Sequence, residues 1–208
     1  MRATREGVGR EGEVLFPMMP FNSYRALSEN DAAAMLVYPR TTPALRNEIP
    51  ERELHLPAEI LERMRPAPLD KSVAEPDRDD EIAYGRYLAT LAACVSCHTP
   101  IDERMQPLAG MVAAGGREFP TPNGITRASN LTPHETGWGG RDVENFIGVF
   151  YSFKDDGVVS VPVGDGRMTV MPWLSYADMR EEDLRAIFAY MMSLDPVDNA
   201  VTRWEGAP

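Results

Sequence analysis

Cys94-Val95-Ser96-Cys97-His98 carries the only two cysteines of the 208 residues and one of the three histidines. C-x-x-C-H is the spacing that attaches c-type haem. Positions i, i+3 and i+4 of a helix share one face. Both sulfurs can therefore bond to the two vinyl groups of a porphyrin while His98 Nε2 sits beneath its iron. Two other chemistries use C-x-x-C. A thioredoxin-like redox pair follows a strand of a βαβ unit, but the residues upstream here have a helical period and no parallel-sheet pattern follows. A zinc site needs more Cys or His at ligand spacing, and only His55 and His134 remain, both far away in sequence.

Working outward, three stretches repeat with helical periodicity. Tyr84, Tyr87, Leu88, Leu91 and Val95 form one stripe that runs straight into the cysteine motif, behind acidic Asp79, Asp80 and Glu81. Val143, Phe146, Ile147 and Phe150 form the second, with Asp142 as its expected cap. Leu184, Ile187, Phe188 and Met191 form the third, behind Glu181, Glu182 and Asp183. Each stripe reads as core, here the walls of a haem pocket. The long stretch between the first two helices is rich in Gly, Pro, Thr and Asn. A loop of that length is functional or disordered, and wrapping a porphyrin edge would order it without regular structure.

A methionine thioether opposite histidine is the ligation that suits electron transfer. Among twelve methionines, Met171 precedes Pro172 in Met168-Thr-Val-Met171-Pro172-Trp173. Proline keeps that strap extended and out of a helix. Met171 is the expected sixth ligand and Met168 the near alternative. His134 lies in Thr132-Pro-His-Glu-Thr-Gly137 and reads as an exposed turn histidine.

Gly85-Arg86-Tyr87-Leu88, Asn130-Leu-Thr132-Pro133 with Glu135-Thr136-Gly137, and Met171-Pro172-Trp173 with Glu182-Asp183-Leu184-Arg-Ala186-Ile187-Phe-Ala-Tyr190 together resemble class I cytochrome c domains. The closest type is the multihaem cytochrome c subunit of bacterial membrane-bound alcohol, gluconate and related dehydrogenases. The resemblance spans about residues 76–197. It implies a mostly α-helical class I cytochrome c fold with long haem-wrapping loops, in which the first and last helices cross and Gly85 approaches Tyr190. It also implies that Cys94 and Cys97 tether haem, with His98 as proximal and Met171 as distal iron ligand. Two features depart from that pattern. Gly140-Arg141 stands where such domains carry tryptophan, Trp138 lying earlier, and Arg180 replaces a Ser or Thr cap on the last helix. Arg141 is expected to be a solvated arginine, with pairing to a haem propionate as the alternative.

The chain also repeats itself. Shifted by 152 residues, Met19-Pro20-Phe21-Asn22-Ser23-Tyr24 lies over Met171-Pro172-Trp173-Leu174-Ser175-Tyr176, and eight of the twenty positions 19–38 are identical. Glu29, Asp31, Ala34 and Tyr38 match Glu181, Asp183, Ala186 and Tyr190. Residues 1–45 therefore read as the tail of a second cytochrome c-like domain, a partial segment without its own C-x-x-C-H. Ser28 and Asp31 form its capping-box pattern, and Pro39 stops its helix early. A fragment of a longer multihaem protein, one half of a split protein or a decayed domain would each account for it. Met19 is an orphan ligand candidate. Residues 46–75 read as a linker with a short docked turn at Ile60, Leu61 and Met64, residues 76–197 as the complete haem domain and 198–208 as a C-terminal tail.

Net charge is −11, which argues against nucleic acid as a partner. Residues 1–75 hold 10 basic and 12 acidic side chains, and residues 76–208 hold 11 and 20. The haem-bearing part thus carries nearly all of the excess, −9, and would steer a partner with a basic docking surface. No apolar run reaches the roughly 18–20 residues that span a bilayer, and the charged N-terminus MRATREGVGREGEV is no signal peptide. Haem attachment nevertheless implies a periplasmic location, so the start is expected to be truncated. The expected role is that of an electron carrier, not an enzyme: one haem c per chain, taking single electrons from a dehydrogenase subunit or another redox carrier, with an adjacent cytochrome c domain near Met19 as a further partner. The rival readings are a peroxidase-like or sensor protein with an open iron site, and a haem-free fragment or interaction module.

Overall fold

The computed structural model describes residues 1–15, 20–50, 53, 57–154 and 169–206. Met19, His55 and Met168 lie outside the described residues. The chain divides into two compact units, Met1–Pro76 and Asp77–Pro208.

The first unit holds α1 (Arg2–Glu6), α2 (Phe21–Tyr24), α3 (Glu29–Val37), a 3-10 turn at Tyr38–Thr41 and α4 (Ala58–Arg63). Val8, Val14, Phe21, Leu27, Ala32 and Leu61 are its buried apolar side chains among the described residues. Ser28 Oγ accepts the Asp31 amide at 3.1 Å and caps α3. Pro39 then turns the chain into the 3-10 turn, because its ring excludes a preceding helical carbonyl. Leu61 is the docked residue of α4, while Ile60 and Met64 face solvent.

The second unit holds α5 (Glu81–Leu91), α6 (Cys94–His98), β1 (Glu118–Thr121), β2 (Gly124–Arg127), α7 (Val143–Tyr151), α8 (Trp173–Ala177), α9 (Glu181–Met192) and β3 (Trp204–Gly206). It is mostly helical, compatible with a cytochrome c fold. Carboxylates cap two helices: Asp80 accepts the Ala83 amide at 2.9 Å and Asp142 the Asn145 amide at 2.8 Å. Arg180, at the start of α9, makes no cap hydrogen bond and pairs instead with Glu182 and Asp183. The core is one cluster around Ala89, Leu131, Phe146, Ile147, Phe150, Leu184, Ile187 and Met191.

Two details differ from the sequence expectation. The long loop after the cysteine motif carries a hairpin, β1 antiparallel to β2, and the expected tail supplies β3 on the far side of β2. Arg127 joins the three strands by ion pairs of 2.8 Å to both Glu118 and Glu205, a cross-strand arrangement that periodicity in short segments does not reveal. The first helix also does not run straight into the motif. It ends at Leu91, and Ala93, in the left-handed region at φ 56°, turns the chain before Cys94.

Helices α5 and α9 meet at Gly85. A Cβ there would lie 1.8 Å from the Ala186 carbonyl oxygen and 3.0 Å from Tyr190 Cβ. Beside it, Tyr84 Oη donates to Asp183 at 2.8 Å across the same crossing. Tyr84→Phe should lower stability by about 1 kcal/mol, the usual net worth of such a bond. A urea transition with reduced midpoint and unchanged slope would show it; an unchanged midpoint would mean that Arg180 alone satisfies Asp183.

Candidate functional site

Helix α6 is a single turn, and it puts Cys94, Cys97 and His98 together. Short bonds from the loop beyond hold its C-terminal side. Thr99 Oγ1 donates to Val95 O at 2.6 Å and accepts the Ala113 amide at 2.9 Å. The Gly115 amide donates to His98 O at 2.6 Å, and Arg117 Nη1 to Ser96 O at 2.6 Å. The segment leading into the hairpin is thereby fastened to the cysteine turn.

The His98 ring is oriented by one bond, from Nδ1 to the Ser129 carbonyl oxygen at 2.7 Å. A carbonyl can only accept, so Nδ1 carries the proton and Nε2 is the bare, basic nitrogen. Burial pushes the imidazole pKa down, opposed by that bond, so the ring is held neutral. Gly115, at φ 79°, makes the arrangement possible. A Cβ on it would lie 2.5 Å from both Ser129 C and Asn130 N, so only glycine lets this loop close on the acceptor.

Ser129 in turn is held by its neighbour. Asn130 is buried, its Oδ1 accepting the Thr132 amide at 2.9 Å and Thr132 Oγ1 at 2.8 Å. Its Nδ2 donates to Val197 O at 2.8 Å and to Thr136 Oγ1 at 3.1 Å. Thr136 Oγ1 also accepts the Asn199 amide at 3.0 Å, and Asn199 Nδ2 donates to Ala114 O at 2.9 Å. Paired in this way, the buried polar groups fix the loop in one conformation.

The two cysteines are free thiols. Burial and the neighbouring Cys97 push the Cys94 thiol up to about 12. It is therefore protonated at neutral pH, the reverse of the lowered pKa a thioredoxin-type nucleophile needs. Among the described residues no group of three His, Cys, Asp or Glu could hold a metal ion, so zinc has no ligand set there.

Cys94 and Met171 both pack against the apolar cluster, as do Trp138, Trp173, Tyr176 and Phe188. The Met171 amide donates to Thr169 Oγ1 at 3.2 Å. Pro172 stands at the N-cap of α8, and Trp173 lies edge-on to Phe150 at 5.6 Å. Trp138 lies edge-on to Phe146 at 5.2 Å. Arg141 is exposed, as expected of a solvated arginine, with its guanidinium over the Trp138 ring, 5.2 Å from the centroid. His134 is half-buried rather than exposed: its Nδ1 lies 2.9 Å from Thr136 Oγ1, within the turn that Asn130 organises. A site of two thiols and a neutral, directed imidazole, beside an aromatic wall with a thioether, fits a covalently bound haem.

The spacing of the cysteine motif says nothing of Ser129, Gly115 or Thr99. The pair Gly115-Gly116 was the available signal, since glycine marks close backbone approach.

No family model matches the chain. It is 33% identical over 210 residues to the cytochrome c subunit of a quinone-dependent alcohol dehydrogenase from Gluconacetobacter polyoxogenes, covering 94% of this chain and 43% of that protein. It is 27% identical over 219 residues to the gluconate 2-dehydrogenase cytochrome c subunit of Pantoea cypripedii, covering 97% and 47%. The fructose dehydrogenase cytochrome subunit of Gluconobacter japonicus is 30% identical over 138 residues, covering 65% and 26%. The resemblance to cytochrome c subunits of dehydrogenases thus holds, in the first two, over nearly the whole chain. The chain spans less than half the length of these relatives.

Proposed function

We propose, from this kinship with dehydrogenase cytochrome c subunits, that the chain is an electron carrier in which Cys94 and Cys97 would hold one haem c and His98 and Met171 would be its iron ligands. The observation that carries the reading is the His98 bond to Ser129, which leaves Nε2 bare on the turn that presents both thiols. When bound, haem supplies a ferric/ferrous couple that accepts and releases one electron. The chain's own residues do the rest. Ser129 fixes the imidazole tautomer and plane, the Asn130 net fixes Ser129, and the aromatic cluster excludes water. Met171, next to Pro172 in the strap, would supply the soft sulfur that favours the reduced state.

The acidic balance of residues 76–208, 11 basic against 20 acidic, would draw a basic face of the electron donor or acceptor. A dehydrogenase subunit is the proposed donor, and a further carrier the acceptor. Covalent haem attachment implies a working place in the periplasm or at the periplasmic face of the membrane. Among the described residues no helix is long and apolar enough to cross a membrane.

The test is a visible spectrum of the chain made with a cytochrome c maturation system. Covalent haem with the weak red band of iron–thioether bonding is expected, lost in Met171→Ala and kept in Met168→Ala. The reverse pattern would move the sixth ligand to Met168. Carbon monoxide binding without denaturant would indicate an open iron, and absence of covalent haem would overturn the reading.

A further inference from the structure

The cysteine turn and the methionine strap come from distant parts of the second unit. Helix α6 follows α5 through Ala92 and Ala93, and the Met171 strap enters α8 through Pro172. Ala93 stands at φ 56° and ψ 20°. An L-residue takes that left-handed conformation only where its surroundings hold it. Just before it, Ala92 is the C-cap of α5, and the last carbonyls of a helix find no partner inside the helix. The approach to the cysteine turn therefore needs an acceptor's partner from elsewhere.

Tyr176 supplies it. Its Oη donates to Ala92 O at 2.8 Å, from α8 to the end of α5. The strap end of α8 is anchored separately. Thr169 Oγ1 accepts the Met171 amide at 3.2 Å and Trp173 Nε1 at 3.3 Å, and the Trp173 ring stacks on Phe153 at 4.7 Å. Beyond the other end of α8, Tyr151 Oη of α7 donates to Met179 O at 3.2 Å. Of these anchors, the Tyr176 bond is the one that ends on the approach to the cysteine turn.

We infer that Tyr176 is a positioning residue that clamps the two sides of the site together. Its hydroxyl ties the helix after the Met171 strap to the carbonyl before the cysteine turn. A neutral thioether is the weaker of the two proposed iron ligands, so its residence depends on how firmly the protein holds the strap against the turn. The inference deepens the proposed function and rests on it for Met171, but one of its readouts is independent of iron. That readout is the Cys97 amide, which donates to Ala93 O at 2.9 Å. It lies one peptide away from the carbonyl that Tyr176 holds.

The haem-loaded chain is compared with Tyr176→Phe and Tyr151→Phe, each of which deletes one hydroxyl that anchors α8. Both should lower the urea midpoint by similar amounts, since each loses one hydrogen bond to a carbonyl. Only Tyr176→Phe should speed hydrogen exchange of the Cys97 amide, by about fivefold. Only Tyr176→Phe should also speed carbon monoxide uptake by the reduced protein, by about the same factor, because carbon monoxide enters where the thioether leaves. Equal changes in the two variants would make Tyr176 a general anchor and overturn the inference, as would no change in either. Faster exchange with unchanged carbon monoxide uptake overturns it too, because the bond would then hold the turn alone. If the red band survives Met171→Ala, the ligand assignment falls and not the clamp, which the Cys97 exchange then decides.

Discussion

Gly85→Val is expected to destabilise the second unit severely. The new Cβ would stand 1.8 Å from a backbone carbonyl of α9, and no rotamer moves a Cβ. The helices would have to part, opening the cluster that buries Leu184, Ile187 and Met191. Ordinary overpacking costs about 1–3 kcal/mol. A clash between two backbones adds the loss of interdigitated packing, so about 4 kcal/mol or more is expected, a large share of a domain's total stability. Gly148 in α7 is the control, because a Cβ there meets nothing within 4 Å. Gly148→Ala should stabilise by about 0.5–1 kcal/mol through helix propensity. Thermal melts of the two variants should thus move in opposite directions. A Gly85→Val protein that melts with the parent would show that α5 and α9 do not cross at this residue.

Asn130→Ala should cost about 3 kcal/mol and loosen the imidazole. The alanine leaves the buried Thr132 amide without its partner, an orphan that costs about 1–3 kcal/mol, and takes from the Val197 carbonyl its 2.8 Å donor, leaving it the 3.4 Å bond from Thr132 Oγ1. The consequence reaches function through one peptide unit, since Ser129 O is the acceptor that orients His98. The expected signature is a lower denaturant midpoint together with a changed reduction potential of the haem-loaded chain, because the hydrogen bond on Nδ1 sets the basicity of Nε2. Thr136→Val removes only the outer part of the net. It should lower stability by about 1 kcal/mol and leave the potential where it was. Equal shifts of potential in both variants would mean that Asn130 acts through general loosening rather than through Ser129.

The elements that were legible in the sequence are those whose signal is local. Helical stripes placed α5, α7 and α9, and carboxylates at 80 and 142 marked two helix starts, because a period and a cap are properties of neighbours in the chain. Tyr87 and Leu91 stand in the expected stripe, yet Gly85 and Ala89 are among the residues that α5 buries. Periodicity weights large apolar residues, whereas a close crossing selects small ones. The hairpin and β3 went unread for a similar reason. Strands of three and four residues are too short to show alternation, and β3 pairs with β2 across most of the second unit's length.

By itself the sequence determined that two sulfurs and an imidazole share one helical turn, that three amphipathic helices flank it along the chain and that the strap motif occurs twice. These follow from spacing. Only the tertiary structure decided which nitrogen of His98 is bare, that Gly115 and Asn130 are what hold its acceptor, and that the Tyr176 hydroxyl meets the Ala92 carbonyl. Those outcomes depend on backbone carbonyls brought together from distant parts of the chain, and a carbonyl, common to every residue, leaves no mark in the sequence.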